Sequence, residues 1–186
     1  MKSRILVLAI AAAAALVAAG CNKPATITDA KTEGIWIDAG RLNYHIQGSR
    51  ILEPGVTPDS TYLKGVPLGV SPSGQEVWFA VFLRVENKSD KASLSAKQFE
   101  ITDTQGNTFS PIAVNTNVNP FAYKPTVLAP KTAIPLPDSP QDFDSVSGAM
   151  LLFKIPLVNY QNRPLTFHVH SADGTAPPEA RLDLDV

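Results

Sequence analysis

Three groupings of residues in this chain have the types and spacings that chemistry could use. His168 and His170 stand two apart. In a strand that spacing puts both imidazoles on one face, with their Cα atoms about 7 Å apart. With a third ligand such as His45 they could grip one metal ion. Zinc takes three or four such ligands, and no thiolate is free to join them. The plain alternative is two polar residues on a solvated strand face. Asp138, Asp142 and Asp144 share one stretch and could offer oxygens to calcium. Their spacing does not follow the twelve-residue calcium loop, and Phe143 interrupts it, so a solvated acidic loop is the expectation. Ser71 and Ser73 invite a nucleophile within Gly69-Val70-Ser71-Pro72-Ser73-Gly74. The pattern Gly-x-Ser-x-Gly fails there, because Ser73 stands where glycine is required. Pro72 and Gly74 read instead as a turn. Asn87-Lys88-Ser89 satisfies the glycosylation sequon. No Gly-rich phosphate loop precedes a helix.

The remaining reactive residue is Cys21, the single cysteine of the chain. Lys2 and Arg4 precede an apolar run over residues 5–19, and Gly20-Cys21 closes it. The run is short for a membrane span and ends in small residues, the pattern of a cleaved export signal. Ala18-Ala19-Gly20-Cys21 resembles the lipobox, the motif that lipoprotein signal peptidase cuts before cysteine. It departs from the preferred form at Ala18, where leucine is favoured. The resemblance implies that residues 1–20 are a leader. It also implies that the Cys21 thiol carries a diacylglyceryl group as a thioether, holding the mature chain to the outer leaflet of a bacterial membrane. Several acyl chains together give stable attachment. Asn22, rather than aspartate, follows the cysteine, which allows an outer-membrane destination where one exists. Residues 22–34 are polar with few large apolar side chains, the composition of a flexible tether.

Composition narrows the function classes. The leader holds two of the 16 basic residues and none of the 17 acidic ones, so the remainder carries 14 against 17 and a formal charge of −3. No basic block occurs along the sequence, which argues against nucleic acid and against an anionic membrane surface as partners. With Cys21 acylated no disulfide can form, and the fold must rest on burial and sheet hydrogen bonds. Residues 35–186 suffice for one domain with its own core. Sixteen prolines argue against long helices.

The elements that would position these residues are strands. From residue 35 the dominant period is two. Leu42, Tyr44 and Ile46 alternate with polar residues. Residues 77–86 form the clearest strand: Val77, Phe79, Val81, Leu83 and Val85 make one apolar face. Trp78, Ala80 and Phe82 make the other face apolar as well, until Arg84 and Glu86. A central strand with cover on both sides is expected, with the two aromatics buried rather than displayed. Residues 87–91 read as a turn, and residues 103–107 as an Asx-type turn with Gly106 free to take positive φ. Residues 110–140 hold seven prolines and read as edge strands and connections, with 126–128 and 132–134 the short strands. Further strands are expected over 147–155, around Leu165, Phe167 and Val169, and around Leu182, Leu184 and Val186, with His168 and His170 outward. About nine strands and no helix of note favour an antiparallel sandwich, with a barrel as the alternative.

The run Trp78-Phe79-Ala80-Val81-Phe82-Leu83-Arg84-Val85-Glu86-Asn87, the hairpin Phe99-Glu100-Ile101-Thr102-Asp103-Thr104-Gln105-Gly106-Asn107-Thr108-Phe109, Leu128-Ala129-Pro130-Lys131, and Phe153-Lys154-Ile155-Pro156 carry a resemblance. Together they resemble the telokin-like, immunoglobulin-fold domain of unknown function found behind bacterial lipoprotein signals. The resemblance covers about residues 40–170 and implies an immunoglobulin-like sandwich with no catalytic residues to carry over. The long proline-rich segment departs from that pattern.

The expectation is therefore an all-β, immunoglobulin-like antiparallel β-sandwich, lipid-anchored through Cys21 on the extracytoplasmic face of a bacterial membrane. It would be non-catalytic, need no cofactor, and bind an envelope or extracellular protein. The rival reading is a metal-handling lipoprotein using His168 and His170. A hydrolase would need a reactive serine or paired carboxylates that the spacing does not provide.

Overall fold

The computed structural model describes residues 25–186. Leader, lipobox and Cys21 lie outside the described residues. The strands are β1 (Asp29–Ala30), β2 (Trp36–Ala39), β3 (Leu42–Leu52), β4 (Glu76–Glu86), β5 (Ser93–Leu94), β6 (Gln98–Thr102), β7 (Thr108–Phe109), β8 (Val127–Leu128), β9 (Ala133–Ile134), β10 (Ala149–Pro156), β11 (Thr166–His170) and β12 (Glu179–Asp183). Three single-turn helices, α1 (Asp59–Tyr62), α2 (Pro140–Phe143) and α3 (Leu157–Tyr160), sit in connections. No helix among the described residues is long and apolar enough to cross a membrane.

Two open sheets face each other. One has the order β1-β12-β11-β6-β7, the other β10-β4-β3-β2 with β9 also on β4, and β5-β8 form a small separate pair. Neither large sheet closes into a barrel. With β3, β4 and β10 in one sheet and β6, β11 and β12 in the other, the grouping is that of immunoglobulin strands A, B, E against C, F, G. Alternation along each strand builds the core between the sheets. Phe79, Val81, Leu83 and Val85 from β4 meet Phe99, Ile101, Phe167, Val169 and Leu182 from the facing sheet. The expected inward set of β11 is fully buried, with its two histidines on the opposite face.

The other face of β4 has a core of its own. Trp78, Ala80 and Phe82 pack with Leu52, Met150, Leu152 and Tyr62. Full burial of each large side chain contributes about 1.5–3 kcal/mol. Two long connections supply the cover, residues 53–75 and the proline-rich 110–147. They are tied to each other: the buried Asn119 side chain donates to the Tyr62 carbonyl at 2.7 Å and the Lys64 carbonyl at 2.9 Å. Gly65 has φ +76, in the left-handed region, and an added Cβ would meet the Asn115 carbonyl at 2.9 Å. The proline-rich segment also closes the free edge of β10, since Met150 bonds through its backbone to Phe121 and Tyr123 at 2.8 Å each.

Residues 133–134 join β4 beyond the point where β10 leaves it, and Gly148 makes the exchange possible. A Cβ there would lie 3.0 Å from the Leu83 backbone nitrogen. Asn87, at the end of β4, is 1% exposed. Its amide donates to the carbonyls of Lys91 at 2.8 Å, Leu128 at 2.9 Å and Ala129 at 3.2 Å, while its oxygen accepts from Ser89. The residue at the head of the sequon is thus a bracket between two loops.

One expectation is corrected. Residues 22–34 have the composition of a flexible tether, yet β1 within them pairs in parallel with β12, Asp29 opposite Arg181 and Ala30 opposite Leu182. Backbone pairing needs no apolar period, so a polar segment can add to a sheet edge. Arg181 holds Asp29 at 2.7 Å, and Ile27 and Asp38 bond reciprocally. The folded body begins some eight residues before residue 35.

Asn87→Ala removes a buried amide that bonds three carbonyls of two loops, the Leu128 bond being fully buried. We expect a loss of about 2–3 kcal/mol, seen as a lower urea midpoint with unchanged slope.

Candidate functional site

The strands run between two ends about 30 Å apart, the length of an 11-residue strand. At one end Asn43 lies opposite Glu86, and at the other Leu52 lies opposite Trp78. The chain enters at the first, where Ala25, Ile27, Trp36, Arg41, Lys88 and Pro177 border a cleft of about 510 Å³. We call this the entry end and the other the far end.

The far end carries an apolar groove of about 520 Å³ between the exit of β3 and the start of β4. Leu52, Pro54, Val56, Pro72, Val77 and Trp78 line it, with Glu53 and Glu76 at its rim. Val56 is 50% exposed, and beside the groove Val158 on α3 is 70% exposed. The backbone bond from Leu157 to Gln75 joins α3 to this rim. The expected turn at Pro72–Gly74 forms its wall: the Glu76 carboxylate accepts from the Ser73 backbone at 2.9 Å, which lowers its pKa.

Two carboxylates brace the far end. Asp59 on α1 accepts both arms of the Arg50 guanidinium, at 2.9 and 2.5 Å, and the Glu53 backbone at 2.8 Å. The guanidinium contact is the main cause of its lowered pKa. Asp103 begins the hairpin after β6. It is 6% exposed, and burial alone would raise its pKa. Side-chain hydrogen bonds from Asn162, Asn159 and Asn107, with backbone bonds from the turn, outweigh that and hold the carboxyl well below the usual range. The Asx turn was legible in sequence; the convergence of Asn159 and Asn162 from the loop after β10 was not, because no spacing signals it.

The metal candidates do not assemble. His168 Nδ1 lies 2.7 Å from Glu179, and its Nε2 lies 2.9 Å from Thr102. His170 Nε2 is 4.0 Å from Glu100 and makes no hydrogen bond. His45 is in the other sheet, bonded to the Gly34 carbonyl at 2.9 Å and packed on Trp36. Among the described residues no three His, Cys, Asp or Glu side chains gather as metal ligands would. The acidic loop is also divided. Asp142 faces Arg84 at 3.3 Å, and Asp144 accepts the Tyr62 hydroxyl. Burial first, then that carboxylate, push the Tyr62 pKa up to about 12. Trp78 and Phe82 are 6% and 1% exposed, so both serve the second core, and of the two Trp78 also borders the groove.

No protein-family model matches the chain, and no curated protein sequence does. Solved structures share its fold. The yjhA protein of Bacillus subtilis superposes with a TM-score of 0.51 at 9% identity, over 83% of this chain and 99% of that one. The protein ycdA of Bacillus subtilis, provisionally called a lipoprotein, superposes with a TM-score of 0.51 at 9% identity, over 82% of this chain and 38% of its own length. At such identities the likeness is one of β-sandwich fold alone.

Asp103→Asn places a donor against donors. The variant should lose about 1–3 kcal/mol at pH 7. In the native chain the ionised carboxylate stabilises the fold above the unfolded pKa of about 3.9. That stabilisation disappears as pH falls toward the lowered folded value. The gap between variant and native chain in denaturant melts should therefore narrow below about pH 4. In a calorimetric zinc titration, replacing both His168 and His170 by alanine should leave the signal unchanged.

Proposed function

We propose that this protein is a non-catalytic interaction module of the bacterial envelope, anchored by lipid at Cys21, that holds a protein partner at its far end. The reading is supported above all by the polarity of the sandwich. The chain enters at one end, and the exposed apolar groove lies at the other, about 30 Å away. An anchor at the entry end turns the groove outward, where a partner can reach it. Grooves lined by apolar side chains with a polar rim suit recognition of an extended peptide segment. The fold shared with ycdA, whose provisional description is a lipoprotein, agrees with the anchor. The telokin-like resemblance of the strand and hairpin motifs belongs to this reading, as does the absence of a nucleophile or acid–base pair in the sequence.

A photo-crosslinker at Val56 in living cells should trap one dominant partner, identified by mass spectrometry. Leu157→Glu should weaken the same product several-fold without lowering the amount of protein in the membrane. Crosslinks spread evenly over unrelated proteins would overturn the assignment of the far end.

A further inference from the structure

Resting on the anchored reading above, we propose that the entry end is itself a membrane-contacting surface that lies on anionic phospholipid headgroups. The first argument is reach. Ile27 is already bonded into the body through Asp38, and Ala25 borders the entry cleft. Four residue steps separate Cys21 from Ala25. Each step spans at most about 3.6 Å, so the lipid attachment lies within about 14 Å of the folded surface by any path. A tether of residues 22–34 would have given slack for the domain to stand free. The docking of β1 removes it.

The second argument is the chemistry of that end. Trp36, half-buried, carries the Lys88 ammonium over its ring at 4.6 Å, and Ile27 beside it is 40% exposed. Tryptophan with lysine is the pairing favoured at the headgroup level of membranes. The loops closing this end bring further cations. Lys91 follows β4, Lys97 precedes β6, and Lys124 precedes β8; all three are exposed. None has a carboxylate partner among the described residues, whereas Arg41 is held by Asp173 at 2.9 Å and Lys88 by Glu86 at 3.3 Å. Asp90 is the other acid in these loops. Juxtamembrane lysines are attracted to anionic lipid within a Debye length of its surface. The far end differs, with its apolar groove and the acidic rim of Glu53 and Glu76. No basic block is visible in sequence because the lysines are dispersed, and folding gathers them.

Cys21 is the only cysteine, and acylation blocks it, so one introduced cysteine can be labelled alone. Full-length protein extracted from membranes would carry a fluorophore at Ala92→Cys, at the entry end, or at Ser71→Cys, toward the far end. It would be reconstituted in vesicles of phosphatidylcholine with phosphatidylglycerol and a headgroup spin-labelled lipid. The label at residue 92 should be quenched several-fold more strongly than that at residue 71. The difference should shrink in high salt, in pure phosphatidylcholine, and when Lys91, Lys97 and Lys124 are changed to glutamate. Equal quenching of both labels in vesicle-bound protein would overturn the membrane-contacting surface while leaving the anchor standing, and would give that end to a protein or to solvent. Protein that fails to associate with vesicles would overturn the anchor, and this surface with it.

Discussion

The structure depends on the burial of β4 from both sides. Its 11 residues pair with β3 along one edge and with β10 and then β9 along the other. Phe79, Val81, Leu83 and Val85 belong to the core between the sheets, and Trp78, Ala80 and Phe82 to the core outside it. An antiparallel sheet can leave one face to water, and this strand cannot. The two long connections follow from that. They cover the outer face, and where the cover thins at the start of β4 it leaves the groove beside Trp78. The same strand ends in Asn87, whose amide joins the loops at the entry end. A single strand thus sets both ends of the molecule.

The features visible in sequence were those carried by local period. The two apolar faces of residues 77–86, the inward Leu165, Phe167 and Val169, the outward histidines, and the short strands around 127 and 133 all follow from alternation and proline placement. Features that depend on distant segments meeting were hidden. β1 has no apolar period; it is held by parallel backbone pairing and by Asp29 with Arg181, 152 residues away. The twelve strands among the described residues exceed the nine expected because the added ones are two residues long and carry no pattern of their own. Asp103 advertised its turn but not its partners Asn159 and Asn162. The lysines of the entry end, scattered between residues 88 and 124, meet only through the topology. The groove is likewise shared by residues from both ends of one connection, so no contiguous motif marks it.

These physical features support one arrangement of the protein in its setting. The entry end carries Trp36 and exposed lysines, while the far end is grooved, apolar and acidic at its rim. Burial and hydrogen bonding rather than covalent links keep the two ends in a fixed relation. The bracket at Asn87, the hub at Asp103 and the Arg50–Asp59 pair each tie a loop to the sandwich. A domain so braced holds its two ends apart without needing to move.

The proposed orientation takes its direction from the proposed attachment at Cys21. The most direct test is the intact mass of the protein purified from the membrane fraction of bacteria that express it. The account predicts a chain that begins at Cys21 and carries glycerol-linked acyl groups, with no free thiol. A chain that begins elsewhere, or an unmodified Cys21, would contradict it.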